Sequence, residues 1–174
     1  MQEQQKFHHS VTEAGNLQLR IITQYVEEGE VKSEKYSNPV APADTTKMDG
    51  WDDKSKAIVD AITDTVVVAD FTAECMPTLE LLAHESIKTS GPIEVVLYDR
   101  EIKDGERISI RRKTYIFDDG EQVSLKYHRS WIMPGDDYSK ADVMSRALAG
   151  KLHTTEVVTA YKTKQAEAEN VAEK

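Results

Sequence analysis

The chain carries an internal repeat of its own sequence. Displaced on itself by 91 positions, it superposes Arg20 on Arg111, Thr23 on Thr114, Gly29 and Glu30 on Gly120 and Glu121, Ser33 on Ser124, and Lys35 and Tyr36 on Lys126 and Tyr127. Leu17, Leu19, Val26 and Glu28 fall on the similar residues Ile108, Ile110, Phe117 and Asp119. With the offset reduced by one, Asp52 meets Asp142, Ser55 meets Ser145, Ala57 meets Ala147, Thr65 meets Thr155, Val67 and Val68 meet Val157 and Val158, and Phe71 meets Tyr161. Two gap-free blocks separated by one residue of slack are what a duplication with one altered loop leaves behind. A sequence repeated in this way constrains the fold to one structural plan used twice. Ser90, Gly91 and Pro92 break the chain between the copies, which sets a first unit at 1–90 and a second at 91–174.

Each copy reads as strands followed by helices. In the second, Ile93 to Ile102 is rich in β-formers and ends at Asp104 and Gly105. Arg107 to Phe117 alternates, with Ile108, Ile110 and Ile116 on one face and Ser109, Arg111 and Lys113 on the other. Asp119 and Gly120 supply a second turn, and Val123, Leu125, Tyr127 and Trp131 share one face of a third strand. Two AspGly turns between alternating segments predict a three-stranded antiparallel meander. After Pro134 and Gly135, Ser139 or Asp142 can cap a helix through Met144, Leu148 and Leu152, and Thr154 or Thr155 can cap another through Val157, Val158 and Tyr161. The first copy predicts strands over Phe7 to Val11, Leu17 to Val26 and Val31 to Val40. Helices are expected from about Asp52 to Asp64 and from about Val66 to Ile87, with Pro77 breaking the latter.

An apolar sheet face must be covered, and two amphipathic helices per copy suffice to cover it. The expected class is therefore α+β: two tandem copies of a three-stranded meander followed by two helices, related by a pseudo-twofold axis or joined into one sheet. Tyr36 and Tyr127 occupy equivalent strand positions and are expected beneath their helices.

With 22 basic and 31 acidic residues, the chain has a formal net charge of −9. A bound phosphate backbone is normally matched by a Lys and Arg surplus, so nucleic acid is not an expected partner. No span approaches the roughly 20 apolar residues of a membrane helix, and the opening MetGlnGluGlnGlnLys has no apolar core of a secretory signal. The single cysteine, Cys75, leaves no CxxC pair, and GxGxxG, P-loop, HExxH and GxSxG motifs are missing. No catalytic or metal-ligating set and no cofactor are expected.

Six residues stand out as candidates for an interaction. His128 and Arg129 near Asp136 and Asp137 offer a base, a cation and two carboxylates, although the aspartates can equally terminate the strand and cap the next helix. Trp51 and Trp131 flank the loops after the strands, where an aromatic serves an interface or roofs the core. His8 and His9 are strand neighbours that point to opposite faces, so they read as surface residues that cannot chelate one ion. The polar segment from Thr163 to Lys174 is a solvated helix extension or one that a partner orders.

TyrHisArg at 127–129, ProGlyAspAsp at 134–137 and ThrGluValValThrAlaTyr at 155–161 resemble small phage- and prophage-encoded proteins that carry a single meander. The resemblance covers the second copy; the first has Ser37 and Asn38 in place of HisArg and lacks ProGlyAspAsp. It implies a virion or assembly role, with a tail, baseplate or neck element as examples. Other virion or assembly proteins, or further copies of the chain, would then be partners, and the chain would reside in the particle or in the host cytoplasm during assembly. An alternative is a small-molecule or regulatory binding module that uses the cleft between the copies.

Overall fold

A computed structural model describes residues 2–37, 51–64, 66–71, 73, 91–119 and 121–172. Strands β1 (Gln2–Val11), β2 (Leu17–Glu27) and β3 (Glu30–Ser37) form one antiparallel meander, and β4 (Ile93–Ile102), β5 (Ile108–Asp118) and β6 (Glu121–Ile132) form another. They join into a single six-stranded sheet of order β3-β2-β1-β4-β5-β6. The junction is short. Only His9, Ser10 and Val11 pair with Ile102, Glu101 and Arg100. The class is α+β.

The tight turns arise from their residues. Glu28 and Gly29 both have positive φ (54° and 83°), the pair of left-handed conformations that matches a two-residue turn to strand twist. Gly15, at φ +74°, turns β1 into β2, where an added Cβ would lie 3.2 Å from the Met144 side chain and 3.3 Å from that of Phe71.

Helix α1 (Asp53–Thr63) starts where Asp52 accepts the Ser55 backbone N–H at 2.9 Å, and buries Ser55, Ile58, Val59 and Ile62 at helical spacing. Residues 66–71 are helical (α2) and deliver Phe71 to the core. Helix α3 (Val143–Leu152) has Asp142 as its cap, with Ser145 N–H donating at 3.1 Å, and buries Met144, Ser145, Leu148, Ala149 and Leu152. Helix α4 (Thr155–Ala172) begins at Thr154, whose hydroxyl accepts the Val157 N–H. Val157, Val158 and Tyr161 of α4 are half-buried, and 162–169 are exposed. Most of the expected second helix of the first unit, including Cys75 and Pro77, lies outside the described residues.

Cross-strand partners in an antiparallel ladder share a face. Val11 with Leu17, and Ile102 with Ile108 and Ile132, therefore stand together, and these residues with Ile110 pack beneath α1, α2 and α3. The other face carries no helix among the described residues. Here the sequence expectation is corrected. Leu125, Tyr127 and Trp131 share one face of β6, but their partners Tyr115, Lys113 and Ser109 place them on the side away from Ile132 and the helices. Tyr127 is 60% exposed and Tyr36 59%.

Candidate functional site

Two buried polar clusters tie the helices to the central strands. On β4, Arg100 is 2% exposed. Its guanidinium donates to Ser145 Oγ at 3.1 Å, to the Tyr98 carbonyl at 3.0 Å, to the Thr12 carbonyl at 3.4 Å and to the Asp142 carboxylate that caps α3. On β1, His9 is also 2% exposed, so the expectation of a surface histidine is corrected. Alternation turns His9 toward α1, where its Nε2 lies 2.8 Å from Ser55 Oγ and 3.7 Å from the Asp52 carboxylate. Burial pushes the His9 imidazole down to about 4, more than Asp52 can raise it.

Serine, histidine and aspartate together invite comparison with a nucleophilic triad. The proton order is wrong for one. The Ser55 hydroxyl donates to Asp52 and so receives the His9 Nε2–H, whereas a nucleophile must give its proton to the imidazole. Ser55 has 0% exposure, and His9 Nδ1, where a triad carboxylate would bind, has no partner. The cluster is a strut between α1 and β1.

The helix-free face is concave across the β1–β4 junction and holds a cleft of about 1160 Å³. His8, Arg20 and Tyr36 line it from one meander, and Asp99, Arg111, Lys113 and Arg129 from the other. Glu13, Lys113, Asp99 and Arg111 form a chain of ion pairs along its wall. Burial opposes the ionisation of Asp99, but hydrogen bonds from Arg111 and Lys113 outweigh it and hold the carboxyl below its ordinary range. Arg129 stands directly across from Arg111.

The six candidate residues do not converge. Arg129 faces the cleft, while His128 lies on the opposite face across from Arg112 and is exposed. Asp136 closes its own turn, accepting the Met133 N–H at 2.8 Å, and Asp137 accepts the Ser139 N–H at 2.9 Å. Those bonds from Ser139 keep the Asp137 carboxyl below its ordinary range. The ProGlyAspAsp segment thus seats α4, with Gly135 facing Val158 and Lys162. Trp51 is half-buried against the core, whereas Trp131 is 46% exposed with the Arg107 guanidinium 5.9 Å from its ring centroid.

The sheet edges went unnoticed in the sequence. Seven large hydrophobic residues stand exposed among the described residues, and five of them, Val31, Tyr36, Val123, Tyr127 and Trp131, lie on β3 and β6. The signal was present in the alternation, but it needed the knowledge of which face was covered. Among the described residues no cluster of His, Cys, Asp and Glu could hold a metal ion, and no helix is long and apolar enough to cross a membrane. No family model, curated protein or solved structure matches the chain.

Proposed function

We propose that this is a non-enzymatic structural or assembly protein that works by presenting sheet surfaces to other chains, in the virion context its TyrHisArg and ProGlyAspAsp pattern implies. One observation carries the reading: the exposed apolar side chains concentrate on the two outer strands. An outer strand offers unpaired N–H and C=O groups, and proteins that remain monomeric blunt such edges with charge, proline or a covering loop. Here both edges carry charges, Glu30, Lys32, Glu34 and Lys35 on β3 and Glu121, Lys126 and Arg129 on β6, but neither has a proline and both also expose aromatic and aliphatic groups that a second chain can cover.

We also infer that the two meanders with their helices are copies of one plan, related by a pseudo-twofold axis at the Ser10–Glu101 pair. Support comes from positions outside the identical residues of the repeat. The offset of 91 carries His9 to Arg100 and Val11 to Ile102, so each copy contributes one buried polar strut and one core residue at the junction. A second reading, ligand binding in the cleft, is favoured by Arg129, which has no ion-pair partner among the described residues.

Size-exclusion chromatography with light scattering, on the chain alone and with the products of neighbouring genes, tests the main proposal. Self-association or a stoichiometric complex is the expected result. A monomer under every one of these conditions would refute it.

A further inference from the structure

The geometry points to β6 as a self-complementary edge: two copies join by antiparallel β6–β6 pairing centred on Tyr127, which continues the six-stranded sheet from one copy into the next. This inference rests on the assembly reading and names its partner, a second copy of the chain.

Strand β6 is the longer outer strand, with 12 residues and neither proline nor glycine. Val123, Tyr127 and Trp131 are its exposed large hydrophobics, four residues apart. A twofold axis at Tyr127 sets Tyr127 against its own copy and runs a regular ladder from Ser124 to Ser130. Beyond it Val123, the residue at which β6 bulges away from its β5 register, comes beside Trp131 at either end, so the exposed hydrophobics gather in one register. The polar residues agree with it. Lys126 then lies opposite His128, Leu125 opposite Arg129 and Ser124 opposite Ser130, which avoids opposed permanent charges of like sign.

Neighbouring registers fail. Centring on Lys126 opposes two lysines, and centring on His128 sets Tyr127 against Arg129 and leaves Val123 without Trp131. Centring between Tyr127 and His128 brings Lys126 onto Arg129. An axis at a residue, perpendicular to the sheet, also keeps the helices of both copies on one side. The other edge lacks this property: pairing β3 with itself so that Val31 meets Tyr36 sets Lys32 against Lys35.

Cysteine cross-linking of the full chain tests the register, in a Cys75→Ser background shown by circular dichroism to remain folded. Directly opposed residues of antiparallel strands have Cα atoms roughly 4.5–5.5 Å apart, within disulfide range. Tyr127→Cys should give a covalent dimer under mild oxidation. Val123→Cys and Trp131→Cys should each form no covalent dimer alone and cross-link when mixed before oxidation. Tyr127→Lys should raise the dimer dissociation constant in sedimentation by roughly tenfold or more, with an unchanged far-ultraviolet spectrum. A chain that is monomeric alone overturns β6 pairing, and the assembly reading then stands or falls on complexes with neighbouring gene products. A wild-type dimer in which Tyr127→Cys does not cross-link overturns β6 pairing and leaves assembly intact.

Discussion

Replacing Asp142 by alanine should cost far more than replacing Asp52, although both aspartates cap a helix in the same way. Asp142 accepts the Ser145 N–H at 3.1 Å and also holds the guanidinium of Arg100, whose side chain is 1% exposed. Asp142→Ala removes a cap worth about 1 kcal/mol and strands a permanent buried cation, a defect that costs about 3–5 kcal/mol. Because one carboxylate serves both roles the two losses overlap, so about 4 kcal/mol is expected. Asp52 makes the matching cap bond at 2.9 Å, but its strand-side partner is a neutral imidazole reached through Ser55. Asp52→Ala should lose the cap and one hydrogen bond, about 1–2 kcal/mol. Urea denaturation followed by circular dichroism at fixed protein concentration measures both. In thermal melts the Asp142 variant should fall by roughly 10 °C, at about 2–4 °C per kcal/mol for a domain of this size. Combining Arg100→Met with Asp142→Ser keeps a capping hydroxyl and removes both charges, and should recover most of the loss. Equal costs at Asp52 and Asp142, or no recovery in the double variant, would show that Arg100 is not held by this carboxylate.

The same structure sets three further outcomes. His9 sits at about 4 in the fold against 6.5 in the unfolded chain, so the unfolded state binds the extra proton. Its contribution is present above about pH 6.5 and is lost as pH falls toward about 4, by roughly 3 kcal/mol at the bottom of that window. Stability-versus-pH curves should therefore be flatter over that range for His9→Gln, and an unchanged slope would refute the assignment. Tyr127→Ala, at a 60% exposed position, should shift unfolding of the dilute protein by no more than about 0.5 kcal/mol, whereas a large loss would mean the ring is buried. Gly15→Ala, which must adopt φ +74° with its Cβ against Phe71 and Met144, should destabilise by about 1–2 kcal/mol in chemical denaturation, and a neutral result would rule out that turn geometry.

Much of this architecture was legible because it is encoded locally. Turn residues such as Glu28–Gly29 set backbone conformations within a few positions, although the expected AspGly hairpin turn at Asp104–Gly105 is a 3-10 turn with Gly105 and Glu106 left-handed. Asp52 and Asp142 satisfy helix N–H groups three residues on. The alternation of Ile108 and Ile110 with Ser109 and Arg111 announced a strand with two unlike faces. Of the candidate residues, Arg129 and Trp131 share one face of the edge strand β6, whereas His128 on the same strand turns to the other face and the two aspartates lie in the turn that follows. Neighbours on a strand diverge, and a carboxylate beside a turn bonds to the turn first.

By itself, then, the sequence determined most strands, turns and helix starts, since each depends on residues within a few positions of one another; it missed Gln2–Lys6, polar residues that become strand by pairing with Ile22–Val26 of β2. The tertiary structure alone decided which face of the sheet the helices cover. Alternation creates an Ile132 face and a Tyr127 face on β6, and the docking of α1 and α3 buries the first, while the second carries no helix among the described residues. The same packing made His9 a buried strut, by bringing to it a serine 46 positions away whose helix has to be in place before the imidazole loses its water.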